Sequence, residues 1–250
     1  MTQLSLFALT LLTVGCERQP GAASTGSRAE PPQAPEPAPA PGAVHGTVRL
    51  SGVAPELPAL RLSPTVEREC GRELPDRSLL VGRDGALEGV VVSVDAHAVP
   101  GPAEPVVVDQ RRCAFWPPVS AARAGSTLVI RNSDPLLHNV RADTDARQLF
   151  NIGMPIEGMS TRKPLPANPS VVDLKCDVHT WMRAWVKTFD HPYFAVTGPD
   201  GRYEIRDAPA GPTKLRFWHP RLGELTEAVE VRSGAAVTRD LSWPAPAKVD

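Results

Sequence analysis

Apolar positions in this chain come in short runs, and turn-forming residues break nearly every one of them. The clearest runs cover 44–50, 78–81, 87–94, 106–109, 127–131, 138–141, 171–174, 184–189, 194–197, 203–206, 214–218 and 228–231. Alternation visible in Lys214-Leu215-Arg216-Phe217-Trp218 and Val229-Glu230-Val231-Arg232 predicts strands with one dry face. Asp84-Gly85, Pro199-Asp200-Gly201 and Pro209-Ala210-Gly211 supply the turns between such strands. No long helical period occurs. The pattern predicts an all-β protein of two sandwiches in series, joined near Asp190-His191-Pro192.

The N-terminal end is different in kind. Residues 4–14 are apolar but too few to span a bilayer, and they end in Leu12-Thr13-Val14-Gly15-Cys16. That ending resembles the lipobox of bacterial lipoprotein signal peptides, which implies lipid on Cys16 after removal of the leader. An ordinary cleaved signal peptide is the alternative, and the absence of Lys or Arg before Leu4 fits neither well. Residues 17–43 are dominated by Pro, Ala, Gly and Glu, and are expected to form an extended tether unable to bury a core. This predicts a protein held on the periplasmic side of a bacterial membrane or on the cell surface, touching lipid only through its anchor. The formal net charge of -1 offers no field for nucleic acid.

The densest chemistry is Cys176-Asp177-Val178-His179-Thr180-Trp181-Met182, a Cys-x2-His-x2-Met run at the end of a predicted strand. Thirty-eight residues earlier, Asn132-Ser133-Asp134-Pro135-Leu136-Leu137-His138-Asn139 places a second histidine after another strand. Two imidazoles, a thiolate and a thioether are the donor set of a blue-copper site: His138, Cys176 and His179 in a trigonal plane, Met182 on the axis. Zinc would also accept Cys and two His, but it normally takes a fourth strong ligand or water. No Cys-x-x-Cys-His occurs, so covalent haem is excluded.

On these motifs the stretch 121–189 resembles the cupredoxins, with a short ligand loop most similar to that of the amicyanins. The resemblance implies a Greek-key sandwich carrying one type 1 copper and shuttling single electrons. It implies that Asn139 ties the two ligand loops together by hydrogen bonds. It also makes His179 the electron exit, its ring edge at the surface, flanked by Thr180 and Trp181. Trp181, Trp185 and Phe150 are expected around the loop, as shields of the thiolate or as plain core. The earlier strands of that sandwich are expected from 44–108, a part that resembles periplasmic plastocyanin-like proteins labelled methylamine utilisation proteins. Pro118 stands where similar proteins often carry a further histidine.

With Cys16 given to lipid and Cys176 to metal, Cys70 and Cys113 are left, and an oxidising compartment predicts a disulfide between them. The stretch 191–218 is similar to carboxypeptidase regulatory-like β-modules, which implies a packing or docking role for 190–250 and no catalytic residues. His97, His191 and His219 fall on unrelated loops, so no second metal site is expected from them. The domain plan is thus a leader at 1–16, a tether at 17–43, a cupredoxin-like domain at 44–189 and a smaller β-module at 190–250. The expected function is electron transfer between redox proteins, without enzymatic bond-making. The rival expectations are copper handling, against which four methionines in the whole chain argue, and a structural or interaction role.

Overall fold

In the computed structural model, which describes residues 39–246, the first strand runs over Gly42–Ser51 and alternates buried and exposed positions. Val44, Val48 and Leu50 face inward, the two-residue period of a strand with one dry face. Its partners come from the far end of the chain. Arg202–Ala208 pairs with it antiparallel on one side, while Ala236–Thr238 and Leu241–Pro244 run parallel to it on the other. A second four-stranded sheet follows the order Phe194–Val196, Val91–Val94, Gly211–His219, Gly223–Val231. Val44, Ile205, Tyr203, Phe217, Leu215 and Trp243 belong to the core between the two sheets.

The close approach of backbones in this sandwich depends on glycine at one point. A Cβ on Gly46 would lie 1.8 Å from the carbonyl oxygen of Arg239, which no rotamer can relieve. The hydroxyl of Tyr203, across the ladder from Gly46, donates to that same carbonyl at 2.6 Å.

These pairings correct the expected division at 189/190. Residues 190–246 alone lack the central strand of one sheet, which is Gly42–Ser51, and in the other Val91–Val94 separates Phe194–Val196 from Gly211–His219. Of the segment expected to feed the first sandwich, Gly42–Ser51 and Val91–Val94 complete the second, while Val106–Arg111 joins the first. The tether expected to reach 43 ends earlier too, because Gly42 already pairs with Ala208. The expected leader at 1–16 with Cys16, and the tether through 38, lie outside the described residues.

The other sandwich has a four-stranded sheet in the order Ser160–Pro164, Thr127–Asn132, Val106–Arg111, Ala114–Trp116. Its five-stranded sheet runs Gln148–Met154, His138–Asp143, Val171–Lys175, Arg183–Phe189, Val119–Arg123. Val108, Leu128, Ile130, Val140, Leu174 and Val186 are fully buried between them. Each such aliphatic side chain contributes about 1.5–3 kcal/mol relative to exposure. The expected fold class therefore holds: an all-β chain with a Greek-key sandwich and an added β-module.

The two sandwiches meet at a third apolar cluster. All four residues of Val91–Val94 are buried, because Val92 and Val94 face one core while Val91 packs with Val119 and Phe189 at the seam. Phe189 and Phe194 stack there at 4.8 Å between ring centroids. The chain between 52 and 90 makes an excursion that includes the short helix Pro64–Cys70. The expected disulfide is present: Cys70 joins Cys113 with Cα atoms 5.5 Å apart, fastening the excursion to the first sandwich. Among the described residues no helix is long and apolar enough to cross a membrane.

Candidate metal centre

Strand periodicity aims the candidate ligands inward. Val172 and Leu174 point into the core, and Cys176 continues their phase past the end of Val171–Lys175. Met182 precedes Ala184 and Val186 in the same way, and His138 precedes Val140 and Ala142. These three runs are neighbours in one sheet, so their ends converge. The loop between Cys176 and Met182 is closed by two backbone bonds, Met182 N–H to His179 O at 2.9 Å and Cys176 N–H to Met182 O at 3.3 Å.

The structure brings His138, Cys176 and His179 together, their nearest ligand atoms all within 4.8 Å of one another. Nδ1 of His138 lies 2.9 Å from Nδ1 of His179, and Sγ of Cys176 is 3.9 Å from the latter. Burial is nearly complete: His138 is 0 %, Met182 1 %, Cys176 2 % and His179 3 % exposed. Met182 shares the core cluster with Cys176.

Asn139 sits outside the core on the same strand as His138. The ladder Arg141↔Lys175, continued two residues along, sets Asn139 beside Asp177. Its Oδ1 accepts the Asp177 N–H at 2.6 Å, the Val178 N–H at 3.3 Å and the Cys176 thiol at 3.3 Å. Its Nδ2 donates to Asp177 Oδ2 at 3.0 Å and to Asn151 Oδ1 at 2.8 Å. One side chain thus fastens the His138 strand to the start of the Cys176 loop. The His179 N–H in turn donates to Sγ of Cys176 at 3.3 Å, so the sulfur has a fixed acceptor role once ionised.

The sequence reading gave no role to Asp134, although it stands four residues before His138 in the same motif. Its Oδ2 is 3.0 Å from Nε2 of His138, on the ring edge away from Cys176. The same carboxylate accepts the N–H groups of Arg112 at 2.6 Å and Cys113 at 2.8 Å. Asn132, fully buried, holds this loop in turn: its Oδ1 accepts the Asp134 N–H and its Nδ2 donates to Leu136 O and Met154 O. With Nε2 held by Asp134, Nδ1 is the His138 nitrogen that faces the cluster.

Electrostatics match this arrangement. Burial alone would push the Cys176 thiol up, yet hydrogen bonds with His138 and His179 outweigh it and bring it down to about 6. Burial likewise opposes charge on His138, but the Asp134 carboxylate and the Cys176 sulfur raise it to about 8. Asp134 is held below the usual carboxylate range despite its own burial, by His138 and the two N–H donors.

One expectation about the surface is corrected. His179 does not present its ring edge to solvent, because His138 meets it edge-on at 4.8 Å and the Trp181 ring tilts over it at 5.1 Å. The exposed residues of the two loops are Ser133, Pro135, Leu137, Asp177, Val178 and Thr180, with Trp181 half-buried. Phe150 packs against the core that holds Cys176, whereas Trp185 belongs to the seam between the sandwiches. His191 and His219 are buried and separate: each Nδ1 accepts a backbone N–H two residues on, from Tyr193 and Arg221.

A soft sulfur and two imidazole nitrogens, converging in a dry pocket with a thiol already near ionisation, fit a copper ion. They fit zinc less well, since no carboxylate joins the cluster among the described residues and Asp134 is engaged at the far edge of His138. No protein-family model matches the chain, and no curated protein matches it. Among solved structures it is similar to a copper-containing nitrite reductase from Thermus scotoductus SA-01, at 20% identity and TM-score 0.30. That match covers 34% of this chain and only 22% of the reductase. It is also similar to a novel purple cupredoxin from Nitrosopumilus maritimus, at 18% identity and TM-score 0.29 over 33% of this chain and 98% of that one. Amicyanin from Paracoccus versutus matches at 22% identity and TM-score 0.30, over 39% of this chain and 97% of its own.

Proposed function

We propose that the chain is a type 1 copper protein that carries single electrons between larger redox partners and catalyses no bond-making reaction. The observation that carries this reading is the buried convergence of Nδ1 of His138, Nδ1 of His179 and Sγ of Cys176. Met182 would complete the set as a weak axial thioether. Bound copper supplies a one-electron couple. The protein's own contribution is to keep the donors fixed in both oxidation states, through Asp134 on one ligand loop and Asn139 between the two.

Residues Leu137, Val178 and Thr180, exposed on the two ligand loops, would form the face against which a redox partner docks. Storage or delivery of copper would favour donors open to exchange, and these four side chains are at most 3 % exposed. The Cys70–Cys113 disulfide supports an oxidising compartment, and with the Gly15-Cys16 motif it supports a lipid-anchored protein facing the periplasm or cell exterior. A redox titration of the copper-loaded protein, followed by absorbance, tests the function. Reversible one-electron bleaching and recovery is expected, and irreversible loss of the metal on reduction would contradict it.

A further inference from the structure

Beside the metal centre lies a cleft of about 480 Å³ that electron transfer does not require. It is walled by the disulfide-anchored excursion at 74–78, the turn at 112–115, the end of the ligand loop at 180–183 and the pair Pro220-Arg221. Trp181 and Trp185 supply flat apolar surface. Four arginines line it, Arg77, Arg112, Arg183 and Arg221, against one acid, Asp76.

Two of these cations are engaged by acids. Arg183 pairs with Asp173 at 2.5 Å, and Arg221 stands 3.7 Å from Asp76. The other two are not. Among the described residues no carboxylate pairs with the guanidinium of Arg77 or Arg112; Arg77 lies over the Trp116 ring at 4.3 Å. Burial, and then the positive charge of Arg112, hold the Arg77 guanidinium below its usual range, while Glu88 offsets this only in part. Arg112 is exposed and Arg77 half-buried, so both guanidiniums offer donors along the cleft from which an anion can accept.

We infer that this cleft binds a small organic anion with a flat apolar body, such as an aromatic carboxylate, its charge on Arg112 and Arg77 and its body against Trp181 and Trp185. The site goes beyond the electron-transfer reading and stands without it. Trp181 links the two places: its indole N–H donates to Cys113 O at 3.0 Å and its ring tilts on His179. An occupant therefore touches the residue that covers a metal ligand.

The test uses the metal-free unit from Ala38 to Asp250, which clusters as one compact body with its own cores. Calorimetric titration at low salt compares 2-naphthoate with neutral 2-naphthylmethanol and with tetraglutamate. One saturable naphthoate site is expected, with the alcohol at least about 10-fold weaker, since hydrogen bonds to charged groups are the stronger kind. Arg112→Asn and Arg77→Gln should each weaken naphthoate by about 10-fold. Asparagine suits position 112 because its φ is 52, where that residue is tolerated. The indole N–H resonance of Trp181 should move on titration. Equal affinity for the alcohol, indifference of both variants or an unmoved Trp181 resonance would overturn the proposal. Tighter binding of tetraglutamate would overturn it in favour of an acidic protein partner.

Discussion

Oδ2 of Asp134 lies 3.0 Å from Nε2 of His138, and this contact joins a metal-ligand candidate to the disulfide turn. The carboxylate also accepts N–H groups from Arg112 and Cys113, residues of a hairpin turn that both have positive φ. One acid therefore orients the imidazole and caps a strained turn together. Asp134→Asn should leave a folded protein, because the amide oxygen can still accept from the turn. It should lower copper affinity by about 10–100-fold, the usual scale for such outer partners. Competition with a chelator of known affinity would measure it, and unchanged affinity would remove Asp134 from the site.

The disulfide closes a loop of sequence separation 43. In the chain-entropy account a loop of that size is worth about 4 kcal/mol. Replacing Cys70 and Cys113 together by serine should lower the urea midpoint and raise the unfolding slope, because the unlinked denatured chain exposes more surface. A midpoint equal to that of the parent would mean that the excursion is held by its other contacts.

Gly46 tests whether Gly42–Ser51 belongs to the second sandwich. A methyl group there meets the Arg239 carbonyl, so Gly46→Ala should destabilise by about 3 kcal/mol or more. Tryptophan fluorescence during denaturation would report the loss, since Trp243 lies in that core. A neutral substitution would contradict the pairing of chain start and chain end.

His219 gives the fold a pH dependence of its own. Burial, then the charge of Arg221, lowers its pKa to about 4. An unfolded histidine takes its proton near pH 6.5, so the full stability is present above that value and is lost as the pH falls toward 4. The loss by pH 4.5 is on the order of 2 kcal/mol. His219→Asn keeps an acceptor for the Arg221 N–H and removes the titration. Urea unfolding of the metal-free variant should then decline less steeply between pH 6.5 and 4.5; identical slopes would contradict the assignment.

Much of the site was legible because its geometry is local. Cys176, His179 and Met182 stand at fixed spacing on one loop, and the period of two along neighbouring strands turns Cys176, Met182 and His138 inward. Asp134 was not legible in the same way, since an acid before proline reads equally well as an ordinary turn residue. The strand Gly42–Ser51 was expected, but its partners were not: pairing with Ala236–Thr238 leaves no mark in either stretch alone. Gln148–Met154 and Ser160–Pro164 escaped notice because each edges its sheet with one side in solvent, so neither reads as a dense apolar run. The buried His179 shows the other limit. Solvent exposure of a ligand depends on which rings fold over it, here Trp181, and spacing does not state that.

The most direct test of the central claim is the visible spectrum of the unit from Ala38 to Asp250 after addition of Cu(II), recorded beside Cys176→Ser. An intense blue or green thiolate-to-copper band that the serine variant lacks is the predicted result. A colourless parent with intact β-structure, or a band that survives in the variant, would contradict a copper site built on Cys176.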